Sequence, residues 1–227
     1  WESWRHNDSR WPEGKVRQRF VASNGSGLIA EGAYMEPHWS NAPGKYHYYY
    51  TLLPAYEEHE DLHKLVYRFV MDALAARQPR VIAIESREDR IFRRRWLESQ
   101  GFAAKMRFSV SQLDITNYDF SRFAGAQERV TATGVRFTTL AELQERDPNW
   151  QHKLYEMIWE IEQDVPQPDP PVKEPFEEFL KTFQNPHLWP EAWSMAVDPA
   201  LAPDDPVGAY VGISMLAKNP PMPERIQ

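Results

Sequence analysis

Two hydrophobic periodicities alternate along this chain, and each change of period marks an element. Residues 16–22 are a short run of strand-favouring side chains that stops at Ser23-Asn24-Gly25-Ser26-Gly27. Residues 28–35 resume it, which predicts an antiparallel hairpin across that turn. Residues 46–53 predict a third strand, with Tyr46, Tyr48, Tyr50 and Leu52 on one face, Tyr49 and Leu53 on the other, and Pro54 as its end. The period then lengthens, and Leu62, Leu65, Val66, Phe69, Val70, Ala73 and Leu74 fall at helical spacing along one stripe. Residues 81–85 are too short and too branched for a helix and predict a buried strand. Residues 89–100 predict a helix capped by a left-handed Gly101, and residues 104–113 alternate as a long strand. The first half therefore runs βββαβαβ.

A helix over residues 121–133, closed by Gly134, leads into a second run. Residues 135–139 predict a strand, and residues 149–163 a helix with Trp150, Leu154, Met157, Ile158 and Ile161 turned inward. The stretch 164–175 is too rich in proline to be regular. Phe176, Phe179, Leu180 and Phe183 mark a further helix, and residues 193–197 and 207–216 are strands around a Pro/Asp-rich turn. This second run reads βααββ. A faint echo joins the halves: Phe20-Val21-Ala22, a turn and Ile29-Ala30 against Met195-Ala196-Val197, a turn and Val207-Gly208.

Composition narrows the function classes. A hydrophobic fraction of 42% with 13% aromatics can build a core, so the 227 residues predict one large or two small folded domains. A formal net charge of -7 argues against nucleic acid as a partner, because phosphate binding needs a basic face. With no cysteine there are no disulfides, thiolate nucleophiles or cysteine metal sites. No apolar run approaches the roughly 20 residues that span a bilayer, so the expectation is a soluble, cytoplasmic protein without a membrane partner. The chain opens on Trp1 rather than Met and stops in polar sequence at Gln227, which leaves truncation and a removed signal peptide open at its ends.

The order of these elements resembles the GNAT superfamily of N-acetyltransferases, in which a strand and two helices precede three antiparallel strands, then helix, strand, helix and strand. Leu52-Leu53-Pro54-Ala55-Tyr56 and the helix to Ala76 carry the likeness, with residues 81–86 and the stretch 89–102 ending Glu98-Ser99-Gln100-Gly101-Phe102. It rests on order and spacing more than on invariant residues. The resemblance implies an α/β fold, with a mixed, largely antiparallel sheet flanked by helices in each of two consecutive units. Residues 1–117 are similar to the C-terminal part of a first unit, residues 118–134 to a connecting helix, and residues 135–227 to the N-terminal part of a second.

The family holds the acetyl-CoA pyrophosphate on a loop of the form Gln/Arg-x-x-Gly-x-Gly/Ala, where backbone N–H groups at a helix N-terminus face the anion. Glycines are needed because a Cβ would block that approach. The corresponding turn here reads Tyr56-Glu57-Glu58-His59-Glu60-Asp61-Leu62-His63, and the motif occurs nowhere in the chain. Aligned on Leu62, Glu58 takes the basic position and Asp61 and His63 the glycine positions, so no cofactor binding is expected there. Four carboxylates repel a pyrophosphate but suit a helix N-terminus. Many family members also place a Tyr, as acid toward the leaving thiolate, four residues before the Gly of Gly-Phe. That position is Leu97, after Trp96. Both losses imply a non-catalytic first unit.

His59-Glu60-Asp61-Leu62-His63 also matches HExxH, in which two His bind zinc and the Glu activates water. Charges crowd it from Glu57 to Lys64, and third ligands at Glu85 or Glu88 are of a kind any acidic chain offers, so no metal is expected. Arg87, Arg90, Arg93, Arg94 and Arg95 read mainly as a solvated helix face. Arg87, Arg90 and Arg94 nevertheless share one side by spacing, and at least one is expected within about 4 Å of a carboxylate of the acidic turn.

For the second unit, the resemblance implies an acceptor site on the first two helices and their proline-rich connection. Trp159, Glu160 and Asp164 are the candidate residues to receive a cationic amine, a small molecule or a peptide. Its acetyl-CoA loop is expected beyond Gln227, and its catalytic residues are not assigned. The implied function is acetyl transfer from acetyl-CoA to a primary amine in that unit, by direct attack of the deprotonated amine with a backbone N–H polarising the thioester carbonyl. The alternatives are a non-catalytic binding or homodimerisation module on the same fold, and a zinc hydrolase.

Overall fold

The aromatic strand dictates the first sheet. In the computed structural model β1 (Arg17–Asn24) and β2 (Gly27–Met35) form the expected hairpin, β2 pairs antiparallel with β3 (Lys45–Leu52), and β3 pairs in parallel with β4 (Val81–Ile84). The order is β1-β2-β3-β4, a mixed and largely antiparallel sheet. A parallel pair needs a crossover, and α1 (Glu60–Ala75) supplies it. The structure describes residues 11, 14–37, 40, 42–111, 113–185 and 187–218. It divides into unit 1, Trp1–Arg107 with Gln167–Val172, and unit 2, Phe108–Pro166 with Lys173–Gln227.

In unit 1, Tyr46, Tyr48, Tyr50 and Leu52 point to one side of the sheet and are buried. Leu62, Val66, Val70 and Leu74 of α1 pack with them into one core. Each fully buried aliphatic side chain of this kind contributes about 1.5–3 kcal/mol. The stripe is narrower than its sequence suggests. Leu65 and Phe69 are about half exposed, while His63, two residues before Leu65, is fully buried. The helix is rolled toward His63, which leaves Leu65 and Phe69 on the rim, with Phe69 against Phe20 at 5.2 Å.

Two strand expectations fail at the other edge. β4 is only partly buried, because it borders the sheet rather than lying inside it. Residues 104–111 and 113, expected as a long strand, are irregular and exposed, so their alternating side chains have no buried face to satisfy. Between them α2 (Ile91–Ser99) ends as expected at Gly101, with φ +89°. There Phe102 N–H bonds to the Leu97 carbonyl at 3.1 Å, and the Phe102 ring lies 6.2 Å from that of Tyr48.

In unit 2 the expected helix 121–133 is interrupted. A 3-10 turn, Phe120–Phe123, precedes the short α3 (Ala126–Thr131), with a break at Ala124 and Gly125. β5 (Arg136–Thr139) runs straight into α4 (Leu140–Arg146), a helix absent from the sequence reading. Its signal was there: Thr139 caps the Glu142 N–H, three residues on, which is capping-box spacing. α5 (Trp150–Asp164) buries Leu154 and Met157 but leaves Ile161 exposed, contrary to expectation, as it falls on the last turn past the packed helices. α6 (Phe176–Leu180), β6 (Ser194–Asp198) and β7 (Ala209–Ser214) follow, with β5-β6-β7 antiparallel throughout.

A buried polar network fixes the start of α5. Asp147 accepts from Lys153 Nζ at 2.7 Å, from the Tyr210 hydroxyl at 2.8 Å and from the Asn149 N–H at 2.9 Å. Lys153 also reaches Asp205 at 2.6 Å and the Gly208 carbonyl at 3.2 Å, so all three of its protons have acceptors. Gly208 sits at φ +103°, where a Cβ would lie 2.8 Å from Pro199 Cα. Asp147→Ala should lower unit 2 stability by about 3 kcal/mol, the low end for a broken buried pair because Asp205 remains. Tyr210→Phe should cost about 1.5 kcal/mol, one hydrogen bond to a charged group. Urea midpoints measure both, and a midpoint for Asp147→Ala equal to wild type would contradict the assignment.

Candidate functional site

The turn between β3 and α1 is the position where the resemblance implies a cofactor. Pro54–Tyr56 form one 3-10 turn, Glu57 and Glu58 follow, and His59 is the residue before α1. Glu57 turns toward α2. Arg93 Nη2 lies 3.0 Å from its Oε1, and Arg90 Nη1 lies 3.7 Å from its Oε2. The closer contact is an ion pair by distance but off line for a hydrogen bond. Glu60 and Asp61 meet Lys64 at 2.8 and 3.8 Å. Three of the turn's four carboxylates thus meet cations of unit 1, and Arg90 lies within 4 Å of Glu57, as the spacing of the arginines predicts. The principal partner is Arg93, which shares a face with Arg90. Arg87 and Arg94 pair elsewhere, with Asp89 at 2.6 Å and Glu98 at 3.8 Å.

His63 ties the turn to the sheet. Its Nε2 lies 2.8 Å from the Glu57 carbonyl, which can only accept, so Nε2 carries the proton. Nδ1 therefore accepts from the Tyr50 hydroxyl at 2.6 Å. Burial pushes Tyr50 up to about 12, which keeps that hydroxyl a donor. The Tyr50 ring in turn carries the Arg93 guanidinium at 4.4 Å, and Arg93 Nη1 donates to the Tyr50 carbonyl at 3.0 Å. Phe92 and Trp96 pack on the imidazole, each ring centre 5.3 Å away.

This arrangement places each residue the sequence singled out. Glu58 and Asp61 are both exposed at the helix start, while His63 is committed to the core. A pyrophosphate approaching the turn would meet carboxylates, with the guanidinium of Arg93 already engaged. Leu97 and Trp96 are buried, so the position of the family's acid is a packing position. For zinc, His59 is exposed but the His63 lone pair is taken by Tyr50, so the HExxH residues do not present two free ligands. Glu88 pairs with Arg107. Among the described residues no three His, Cys, Asp or Glu side chains gather as a metal group. Among them, too, no helix is long and apolar enough to cross a membrane.

In unit 2, Trp159 is half-buried on α5, and Glu160 and Asp164 are exposed on its last turns. An ammonium does lie here, that of Lys173. Its Nζ is 2.6 Å from Glu156 Oε2, 4.6 Å from the centre of the Tyr155 ring and 6.0 Å from that of Trp159. Tyr155 donates its hydroxyl to the Glu174 carbonyl and stands edge-on to Phe176 at 5.3 Å. Tyr155 and Glu156 were not identified from the sequence, although two aromatics one turn apart beside a carboxylate are a legible signal. In the proline-rich stretch, irregular as expected, Asp169 belongs to unit 1. There it pairs with the buried Lys45 and accepts from Ser40 Oγ at 2.7 Å. Those two partners hold its carboxyl below the usual range.

No family model and no curated protein matches this chain. Geometry and chemistry therefore carry the functional reading.

Burial, with some help from Arg93, holds His63 below its ordinary value of 6.5, against the raising effect of the Glu57 carbonyl. The folded group binds its proton less readily than the unfolded one, so its stabilisation is present above 6.5 and lost as pH falls through that value. His47, lowered by burial and Lys45, acts in the same direction. Unit 1 should unfold at lower urea at pH 5.5 than at pH 7.5, and His63→Gln should flatten that difference. Unchanged pH dependence in His63→Gln would show that the imidazole does not set it. Arg93→Ala should cost about 3 kcal/mol at pH 7.5, the low end for a broken buried pair, because it leaves the largely buried Glu57 carboxylate with Arg90 alone at 3.7 Å.

Proposed function

We propose that this chain belongs to a tandem GNAT-type protein whose second unit supplies the amine-acceptor side of acetyl transfer, and whose first unit is non-catalytic. The observation that carries the amine side is the ammonium of Lys173 held by Tyr155, Glu156 and Trp159 on α5. It lies on the helix where the family resemblance implies acceptor binding. The reaction is attack by a deprotonated primary amine on the acetyl-CoA thioester, with loss of CoA as thiol. Support for a silent first unit comes from the closed turn, where Arg93 and His63 cross-link Glu57 and no glycine opens the backbone. The second reading, a binding or dimerisation module, is favoured for unit 1 by the same closed turn.

These 227 residues hold no cysteine, so they add no background to a thiol reagent that reads released CoA. With the acetyl-CoA loop of the second unit present, amine-dependent CoA release from acetyl-CoA is expected, reduced at least tenfold by Trp159→Ala and unchanged by Asp61→Asn. Acetyl-CoA should give no hydrogen-exchange protection to the amides of residues 57–62. No amine-dependent release from the protein with that loop would overturn the enzyme reading and leave the binding module. Protection at residues 57–62 would overturn the silent first unit.

A further inference from the structure

We infer that Tyr155, Glu156 and Trp159 form a binding site for an alkylammonium group, and that Lys173 is its internal occupant, which must leave before an external amine can enter. The inference rests on the amine-acceptor reading above and adds how that site is kept closed. Tyr155 and Trp159 stand one helical turn apart and offer their ring faces to the same nitrogen, while Glu156 supplies the opposite charge. Ring faces with a carboxylate recognise a cation rather than an apolar group.

The site stays formed when Lys173 departs. Tyr155 is held independently, through its hydroxyl bond to the Glu174 carbonyl and its ring contacts with Phe176 and Phe179. Lys173 itself is loosely held. Its side chain is 34% exposed, and one carboxylate and two ring faces are its contacts. Lys153 shows the contrast: 17% exposed, with every proton on an oxygen acceptor. Because the backbone beside Lys173 is tied to Tyr155, the internal ammonium competes at an effective concentration of order millimolar. An external amine therefore meets a site that is complementary but occupied.

The test uses binding alone. The indole N–H resonance of Trp159, assigned with Trp159→Phe, is followed by NMR during titration with n-butylammonium, and with n-butanol as the uncharged control. Lys173→Met and Lys173→Gln should show saturable shifts at concentrations about tenfold lower than wild type, as expected from removing a millimolar competitor. Butanol should give none, and Glu156→Gln added to Lys173→Met should abolish the effect. Titrations indistinguishable between wild type and both Lys173 variants overturn the inference. So does butanol binding as well as butylammonium, or full retention in the Glu156→Gln double variant. No acetyl-CoA is present, so binding without acetyl transfer would sink the enzyme reading alone, and transfer without this Lys173 effect would sink the inference alone.

Discussion

Unit 1 depends on one buried imidazole that has two nitrogens and two partners. His63 must donate to the Glu57 carbonyl and accept from Tyr50, because the site is dry and an unmet polar group there would cost about 1–3 kcal/mol. That requirement rolls α1 toward the sheet and leaves Leu65 and Phe69 at the rim. It also fixes the Glu57 backbone, so that its carboxylate faces α2 and meets Arg93. Arg93 closes the circuit by bonding the carbonyl and covering the ring of the Tyr50 that serves His63. Strand, turn and two helices are held by four side chains.

The same circuit decides what the turn can do. A helix N-terminus would ordinarily attract an anion. Here Glu60 and Asp61 already answer that partial charge, and Glu57 occupies the guanidinium an incoming phosphate would need. The charges an anion would need are engaged within unit 1 instead.

Unit 2 uses ammonium groups in two opposite ways. Lys153 is saturated by oxygens and joins the start of α5 to the turn before β7, a role in which exchange would be ruinous. Lys173 is half-satisfied, by one carboxylate and two rings, at a place where exchange is feasible. The two differ in how many protons find fixed acceptors and in how much water reaches them. Composition cannot show that difference.

The strand and helix periods determined most of the elements by themselves. The hairpin, the tyrosine strand, the crossover helix and the left-handed end at Gly101 follow from side-chain alternation and turn chemistry, which are local. Local pattern also showed that the acidic turn lacks the glycines of an anion loop. It misjudged residues 104–111 and 113, because alternation makes a strand only where a neighbouring edge accepts it. It missed α4, whose capping box lay directly behind a strand. What only tertiary structure decided was pairing: Arg93 rather than Arg87 or Arg94 on Glu57, Tyr50 on His63, and Glu156 rather than Glu160 or Asp164 on the ammonium of Lys173. Such pairs depend on how each helix is rolled and on which groups water can no longer reach, and both are set by the packed whole rather than by neighbours in sequence.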